Sequence, residues 1–273
     1  MGGGTPERVR AFEAGVKMSR RIVCGCVVVM LTLLALSCGG SSKPKQDPQT
    51  ELANKVRMAQ GYFRAGRTTL ALEAIQEAID LDPNNPGLHN FSGQIHFVAG
   101  RYPEAEAAYE EALRLDPYLT DAHNNLGALY AETGRPSLAE QEYLAALKDA
   151  SFPTPQKVYM NLGSLYASQG RDDEALGMLR RAVEIDSSYY RAHFELAGVL
   201  DRQGKIEEAA REYEVALPEY RDSGEYHYRL GFVYFRLKNF PKATLELERV
   251  LDIAPGTESA VRADELLKLI GQS

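Results

Sequence analysis

The sequence contains no tryptophan and only three cysteines, Cys24, Cys26 and Cys38, all within its first 38 residues. No cysteine occurs in the 235 residues that follow. This excludes a disulfide framework and a cysteine-ligated metal site from the bulk of the chain. Glycine, proline and charged residues occur at ordinary frequencies, so a large folded body is expected rather than a disordered chain.

The sequence also lacks an apolar run of the length of a membrane-spanning helix. Its longest apolar run covers Ile22 to Leu36 and has 15 residues. A membrane-spanning helix needs about 20. The run follows Ser19-Arg20-Arg21, and this combination is typical of a secretory signal. We therefore predict a leader over residues 1–37, with Met18 a more natural start than Met1.

The leader ends in Leu34-Ala35-Leu36-Ser37-Cys38, which resembles the box of bacterial lipoproteins. That resemblance implies lipid modification of Cys38 and a flexible tether within residues 38–51, which are rich in Gly, Ser, Lys, Pro and Gln. A plain signal peptide or an uncleaved anchor is the alternative. Gly39 is not the aspartate that retains many such lipoproteins in the inner membrane, so the resemblance favours the periplasmic face of the outer membrane.

Acidic residues outnumber basic ones outside the leader. The formal net charge is −7, and residues 1–37 hold five basic and two acidic groups, so the remaining chain carries −10. A body this acidic repels phosphate backbones, which disfavours nucleic-acid binding.

A period of 34 residues runs through most of the chain. Position 20 of each period is alanine in all six copies, and position 15 is glycine in five, with Lys238 as the exception. Position 8 is alanine or glycine in all six copies, position 27 is alanine in five with Val250 as the exception, and tyrosine recurs at positions 11 and 24. The six repeats are 52–85, 86–119, 120–153, 156–189, 190–223 and 224–257, with one insertion at Thr154-Pro155.

These residues resemble the tetratricopeptide repeat, in which each copy forms two short helices, A and B. We predict an all-α, right-handed superhelical solenoid of six helix pairs, with residues 258–273 forming a capping helix and the C-terminus. Glycine at position 15 should end helix A in a left-handed conformation. Ala139 should lie where helices A and B of repeat 3 meet, with Glu140 exposed beside it.

The chain offers no clear catalytic or metal-binding constellation. Four of the five histidines share position 4, where neighbouring repeats lie about 8–10 Å apart, too far for ligands of one ion. We therefore interpret position 4 as a packing position and predict no metal, no cofactor and no enzymatic activity. His89, His123, His193 and His227 form this set.

What remains is a binding surface. In tetratricopeptide arrays the concave groove is formed mainly by helix A, and here the corresponding positions are apolar or carry amides. Apolar side chains can anchor a partner, and amides can hydrogen-bond to a peptide backbone; packing against the neighbouring repeat is the alternative for the aromatic residues. The predicted partner-binding groove comprises Asn90, Gln94, Phe97, Asn124, Met160, Phe194, Tyr228, Phe232 and Phe235.

Repeats 2–4 resemble the type IV pilus biogenesis and stability lipoproteins of the PilF/PilW/Tgl type. The resemblance lies in "HNNLGALYAETGRPSLAEQEYLAAL", the Phe152-Pro153-Thr154-Pro155 insertion and "VYMNLGSLYASQG". It implies a monomeric, outer-membrane-anchored scaffold that helps secretin subunits localise and multimerise. The alternatives are another envelope-assembly lipoprotein, serving barrel insertion or polysaccharide export, and a regulatory subunit of an envelope enzyme.

Overall fold

The computed structural model describes residues 47–272, and within that range it contains thirteen helices and no strand. The helices are α1 Pro48–Arg64, α2 Thr68–Leu81, α3 Pro86–Val98, α4 Tyr102–Leu115, α5 Thr120–Glu132, α6 Pro136–Ala146, α7 Pro155–Ser168, α8 Asp172–Ile185, α9 Tyr190–Arg202, α10 Ile206–Tyr220, α11 Gly224–Arg236, α12 Phe240–Ile253 and α13 Glu258–Ile270.

The predicted all-α solenoid of helix pairs is confirmed. The odd-numbered helices α1 to α11 are the A helices of repeats 1 to 6, and the even-numbered helices α2 to α12 are the B helices. The last helix, α13, packs against α11 and α12. Helix α1 begins at Pro48, so residues 48–51 are helical although they fall within the stretch predicted to be a tether.

Small residues allow helices A and B to approach closely. A methyl group built on Gly93 would lie 2.5 Å from the ring of Tyr109, and one on Gly127 would lie 2.8 Å from the ring of Tyr143. Both pairs join position 8 of helix A to position 24 of helix B. The small and large residues that recur in the sequence are therefore complementary partners in one contact.

The turn from helix A to helix B requires a left-handed backbone conformation at position 15. Five glycines adopt φ values between 70° and 75° there: Gly66, Gly100, Gly134, Gly170 and Gly204. Lys238 occupies the same position in repeat 6 and has φ 55°, the only non-glycine residue with positive φ among residues 47–272. Its Cβ atom makes this conformation costly.

Lys238→Gly should therefore stabilise the protein. Glycine removes the strain energy of the left-handed conformation, but it also stabilises the unfolded chain by giving it more conformational freedom. The first effect is larger, so we expect a gain of about 0.5–1 kcal/mol in the free energy of unfolding. Arg211 is exposed within α10, where the backbone is helical, so Arg211→Gly should instead cost about 1 kcal/mol. Urea denaturation followed by circular dichroism measures both; an equal loss of stability would contradict the strain at Lys238.

The buried side chains form three clusters. The central cluster runs from Ala105 to Ala243 and includes Tyr109, Tyr143 and Tyr213. A separate N-terminal cluster joins α1 and α2 to α3, and a C-terminal cluster joins α11 and α12 to α13. Because one helix pair cannot bury its apolar face alone, each cluster requires residues from neighbouring repeats or from the cap.

Candidate functional site

The helix A face of repeats 1–5 carries a continuous groove. Its larger section has a volume of about 700 Å³ and is lined by α3, α5, α7 and α9, with contributions from α6. A smaller section of about 210 Å³ is lined by α1, α3, α4 and α5. Phe97 and Ala128 line both sections, so the two are adjacent and Phe97 stands at their junction.

The groove combines an apolar floor with a polar rim. Phe97, Met160 and Leu165 supply apolar surface, and Met160 is buried beneath it. Glu195 and Arg191 line the same section from α9. Burial raises the pKa of Glu195, and the nearby guanidinium groups of Arg229, Arg191 and Arg202 oppose that shift only in part. This arrangement suits an apolar segment with polar neighbours.

Two amide pairs connect the A helices across repeat boundaries. The Nδ2 of Asn125 donates to the Oδ1 of Asn90 over 2.9 Å, and the Nδ2 of Asn161 donates to the Oδ1 of Asn124 over 3.0 Å. Asn90 is buried, so its amide serves repeat packing, whereas Asn125 and Asn161 reach the groove wall. Sequence reasoning named the acceptors Asn90 and Asn124 but missed the donors that line the groove.

The predicted groove residues of repeats 5 and 6 do not line these two sections. Phe194 packs inside an aromatic cluster, with its ring centroid 4.6 Å from that of Tyr220 and 5.6 Å from that of Tyr213. Its stacking on neighbouring helices matches the packing alternative for this residue. Of the predicted residues, Gln94, Phe97 and Met160 are brought together in the groove.

The remaining aromatic residues of repeat 6 pack on each other and on the cap. The Phe232 and Tyr228 rings stack with centroids 6.2 Å apart, and the Arg262 guanidinium of α13 lies 4.6 Å from the Tyr228 centroid. Phe235 packs against Phe240 at 6.0 Å. Tyr228 is buried, while Phe232 and Phe235 are half-buried.

Position 4 is a packing position, and its chemistry is more specific than the sequence indicated. In repeats 3, 5 and 6 the histidine Nδ1 contacts a helix B glutamate at position 23, at 2.5 to 2.6 Å. The other ring nitrogen contacts a carbonyl of the preceding turn. The hydrogen bond with Glu142 raises the pKa of His123, and burial opposes it. The pairs are His123–Glu142, His193–Glu212 and His227–Glu246.

Ion pairs join the residue before one B helix to the B helix of the preceding repeat. Arg135 makes a bidentate contact with Glu106 of the preceding repeat, at 2.7 and 2.9 Å. Arg171 bonds to Glu140 in the same way, at 2.9 and 3.2 Å, and lies over the Tyr166 ring. Glu140 is therefore half-buried and engaged, which corrects the expectation that it is exposed.

Cys38, the predicted lipidation site, lies outside the described residues. In residues 47–272 no helix is both long and apolar enough to cross a membrane. Within the same range there is no group of three or more histidine, cysteine, aspartate or glutamate side chains that could hold a metal ion.

Comparison with known proteins identifies the repeat. Tetratricopeptide-repeat models match residues 56–120, 124–190, 166–228 and 224–257. An uncharacterized protein of Haemophilus influenzae is 32% identical over 99 residues, which are 36% of this chain and 55% of that protein. The chain thus spans about half the length of this curated relative.

Two solved structures share the fold. PilF of Pseudomonas aeruginosa superposes with a TM-score of 0.74 at 17% identity, over 80% of this chain and 98% of that chain. PilW, described as a widely conserved type IV pilus biogenesis factor, gives 0.70 at 22% identity, over 77% and 97%. These likenesses show the fold, and the repeat models, which match most of residues 56–257, establish that the chain belongs to the tetratricopeptide-repeat family.

Proposed function

We propose that the groove of repeats 1–5 binds an apolar segment of an outer-membrane assembly partner, a secretin subunit of a type IV pilus. The observation that carries the proposal is the continuous groove with Phe97 at the junction of its two sections. Tetratricopeptide arrays are protein- and peptide-binding scaffolds, and the fold is shared with PilF and PilW. Binding and positioning, rather than catalysis, is the role we assign to the chain.

Phe97 is suited to act as the anchor. It is half-buried, so its ring is held on one side by Tyr102 at 5.8 Å while the other side contributes to the groove. Aromatic residues near the centre of an interface usually dominate its binding energy. The amides of Asn125 and Asn161, already oriented by their partners, can hydrogen-bond to the backbone of a bound segment.

The proposed location is the periplasmic face of the outer membrane, with the chain held through a lipid on Cys38. An array held there would present its groove to subunits arriving from the periplasm. The sequence box that ends at Cys38 supports this part of the proposal. A different envelope partner, in barrel insertion or polysaccharide export, would use the same groove.

Phe97→Ala should weaken capture of the secretin subunit by roughly 30-fold, because truncating an anchor of this kind costs about 2 kcal/mol or more. Secretin multimers in outer-membrane fractions should fall accordingly. Phe235→Ala is the matched control: it occupies the same position in repeat 6 and packs on the equivalent neighbour, Phe240, but lies outside the groove. Circular dichroism of both variants should show unchanged helix content. Normal multimers with Phe97→Ala, or an equal loss with Phe235→Ala, would reject the groove as the working surface.

A further inference from the structure

The N-terminal end of the array has a charge opposite to that of the rest. Residues 43–67 contain six basic and two acidic side chains, whereas residues 68–273 have a formal net charge of −14. On α1 the basic residues Arg57 and Arg64 are seven positions apart and so lie on one helix face. That face is exposed and has no acidic residue; between and beside them it shows Ala53, Gln60 and Gly61.

The arginines of this end are not neutralised by carboxylates. Arg57 donates to the Oδ1 of Asn54 and Arg64 to the backbone oxygen of Gln60, and neither forms an ion pair within residues 47–272. Arg67 is exposed in the turn after α1 and has no ion-pair partner in the same range. Lys55, by contrast, pairs with Glu77.

The repeat pattern shows which partner Arg67 lacks. Arg135 and Arg171 occupy the same position, 16, in repeats 3 and 4, and each is neutralised by a glutamate at position 21 of the preceding repeat. Repeat 1 has no preceding repeat. Arg67 therefore cannot form this contact, and it is exposed at the first repeat. Arg101 of repeat 2 also lacks it, because Leu72 stands at position 21 of repeat 1.

We infer that the exposed face of α1, together with Arg67, lies against an anionic phospholipid surface. Arginine matches a phosphate headgroup through bidentate hydrogen bonds, and basic residues near an anionic membrane each favour binding. The acidic remainder is repelled by such a surface, so the array would stand with its first repeat at the membrane. We choose a membrane over an acidic protein because of the proposed anchoring at Cys38. Residues 39–47 reach at most about 30 Å, so a lipid on Cys38 would hold α1 close to the membrane surface.

The test uses the full chain carrying Cys38→Ser, so that no acyl chain contributes. Flotation with vesicles of phosphatidylcholine, alone or mixed with phosphatidylglycerol, should show a preference for the mixed vesicles that is lost at high salt. Charge reversal by Arg57→Glu, Arg64→Glu and Arg67→Glu should lower binding to the mixed vesicles by at least about tenfold. The basic leader is common to every chain compared, so the α1 face is reported by the difference between variants rather than by the preference of one chain for the mixed vesicles.

A control with the same change in net charge reverses Lys205, Arg211 and Arg221 of repeat 5, and it should retain most of the binding. Equal losses in the two triple variants would overturn the inference, because net charge rather than the α1 face would then govern binding. No preference for phosphatidylglycerol would also overturn it and would favour an acidic protein segment as the occupant. Neither outcome bears on the groove, which is tested separately by Phe97→Ala.

Discussion

His227→Ala should destabilise the protein by about 3 kcal/mol, because it breaks a buried, hydrogen-bonded pair and leaves its carboxylate partner without its main contact. His227 is fully buried, with Nδ1 at 2.5 Å from Glu246 and Nε2 at 2.9 Å from the Arg221 carbonyl. From helix A of repeat 6, the side chain thus contacts helix B of the same repeat and the turn that precedes the repeat. Urea denaturation monitored by circular dichroism should show the loss as a lower midpoint.

His89 provides a matched control at the same repeat position. It contacts the Pro83 carbonyl at 2.8 Å, but Ala108 stands where the glutamate would be. His89→Ala should cost less than about 1 kcal/mol, the value of an ordinary hydrogen bond. Replacing both His227 and Glu246 by leucine should recover much of the loss, since no unpaired charge remains. Equal costs for His227→Ala and His89→Ala would contradict the role of the pair.

Ala139→Leu should cost about 1–3 kcal/mol through overpacking of a closely packed helix contact. Ala139 is completely buried in α6, and the adjoining contact between Gly127 and Tyr143 has no room for even one added methyl group. The bulkier side chain must therefore push helix A and helix B of repeat 3 apart. Thermal unfolding of the purified variant measures the effect.

Gln141→Leu is the control for Ala139→Leu, because Gln141 is exposed on the same helix. It should change the free energy of unfolding by less than about 0.5 kcal/mol. Glu140 is not a suitable control, since substitution there removes contacts with Arg171 and Tyr166 of the next repeat. Similar midpoints for Ala139→Leu and Gln141→Leu would show that the repeat phase is misassigned.

The fold was predictable because its determinants are local and recur. A glycine that ends helix A, or a small residue that admits a tyrosine ring, has the same spacing in every copy, so periodicity alone indicates two helices per repeat. Lys238 illustrates the strength of this constraint: the backbone takes the left-handed conformation even where the residue disfavours it.

The site was predictable only in part, because its contacts join residues whose register depends on stacking. Glu140 was expected to be exposed as a helix B residue, yet stacking brings it to Arg171, 31 residues later. The pairing of Asn90 with Asn125 also depends on stacking. Of the adjacent residues Asn124 and Asn125, it is Asn125 that bonds to Asn90 and lines the groove. Phe194 and Phe97 both belong to A helices, and only the packed structure separates the one that stacks internally from the one that lines the groove.

The division of the buried side chains into three clusters bears on how the molecule opens. Because the N-terminal cluster shares no buried residue with the central cluster, the first helix pair can open while the central cluster between Ala105 and Ala243 stays folded. Local opening of the first helix pair then costs less free energy than global unfolding, as in other arrays with nearest-neighbour coupling. Amide protons in α1 and α2 would exchange with solvent sooner than those in α8 and α9, so the array has a graded rather than a uniform stability.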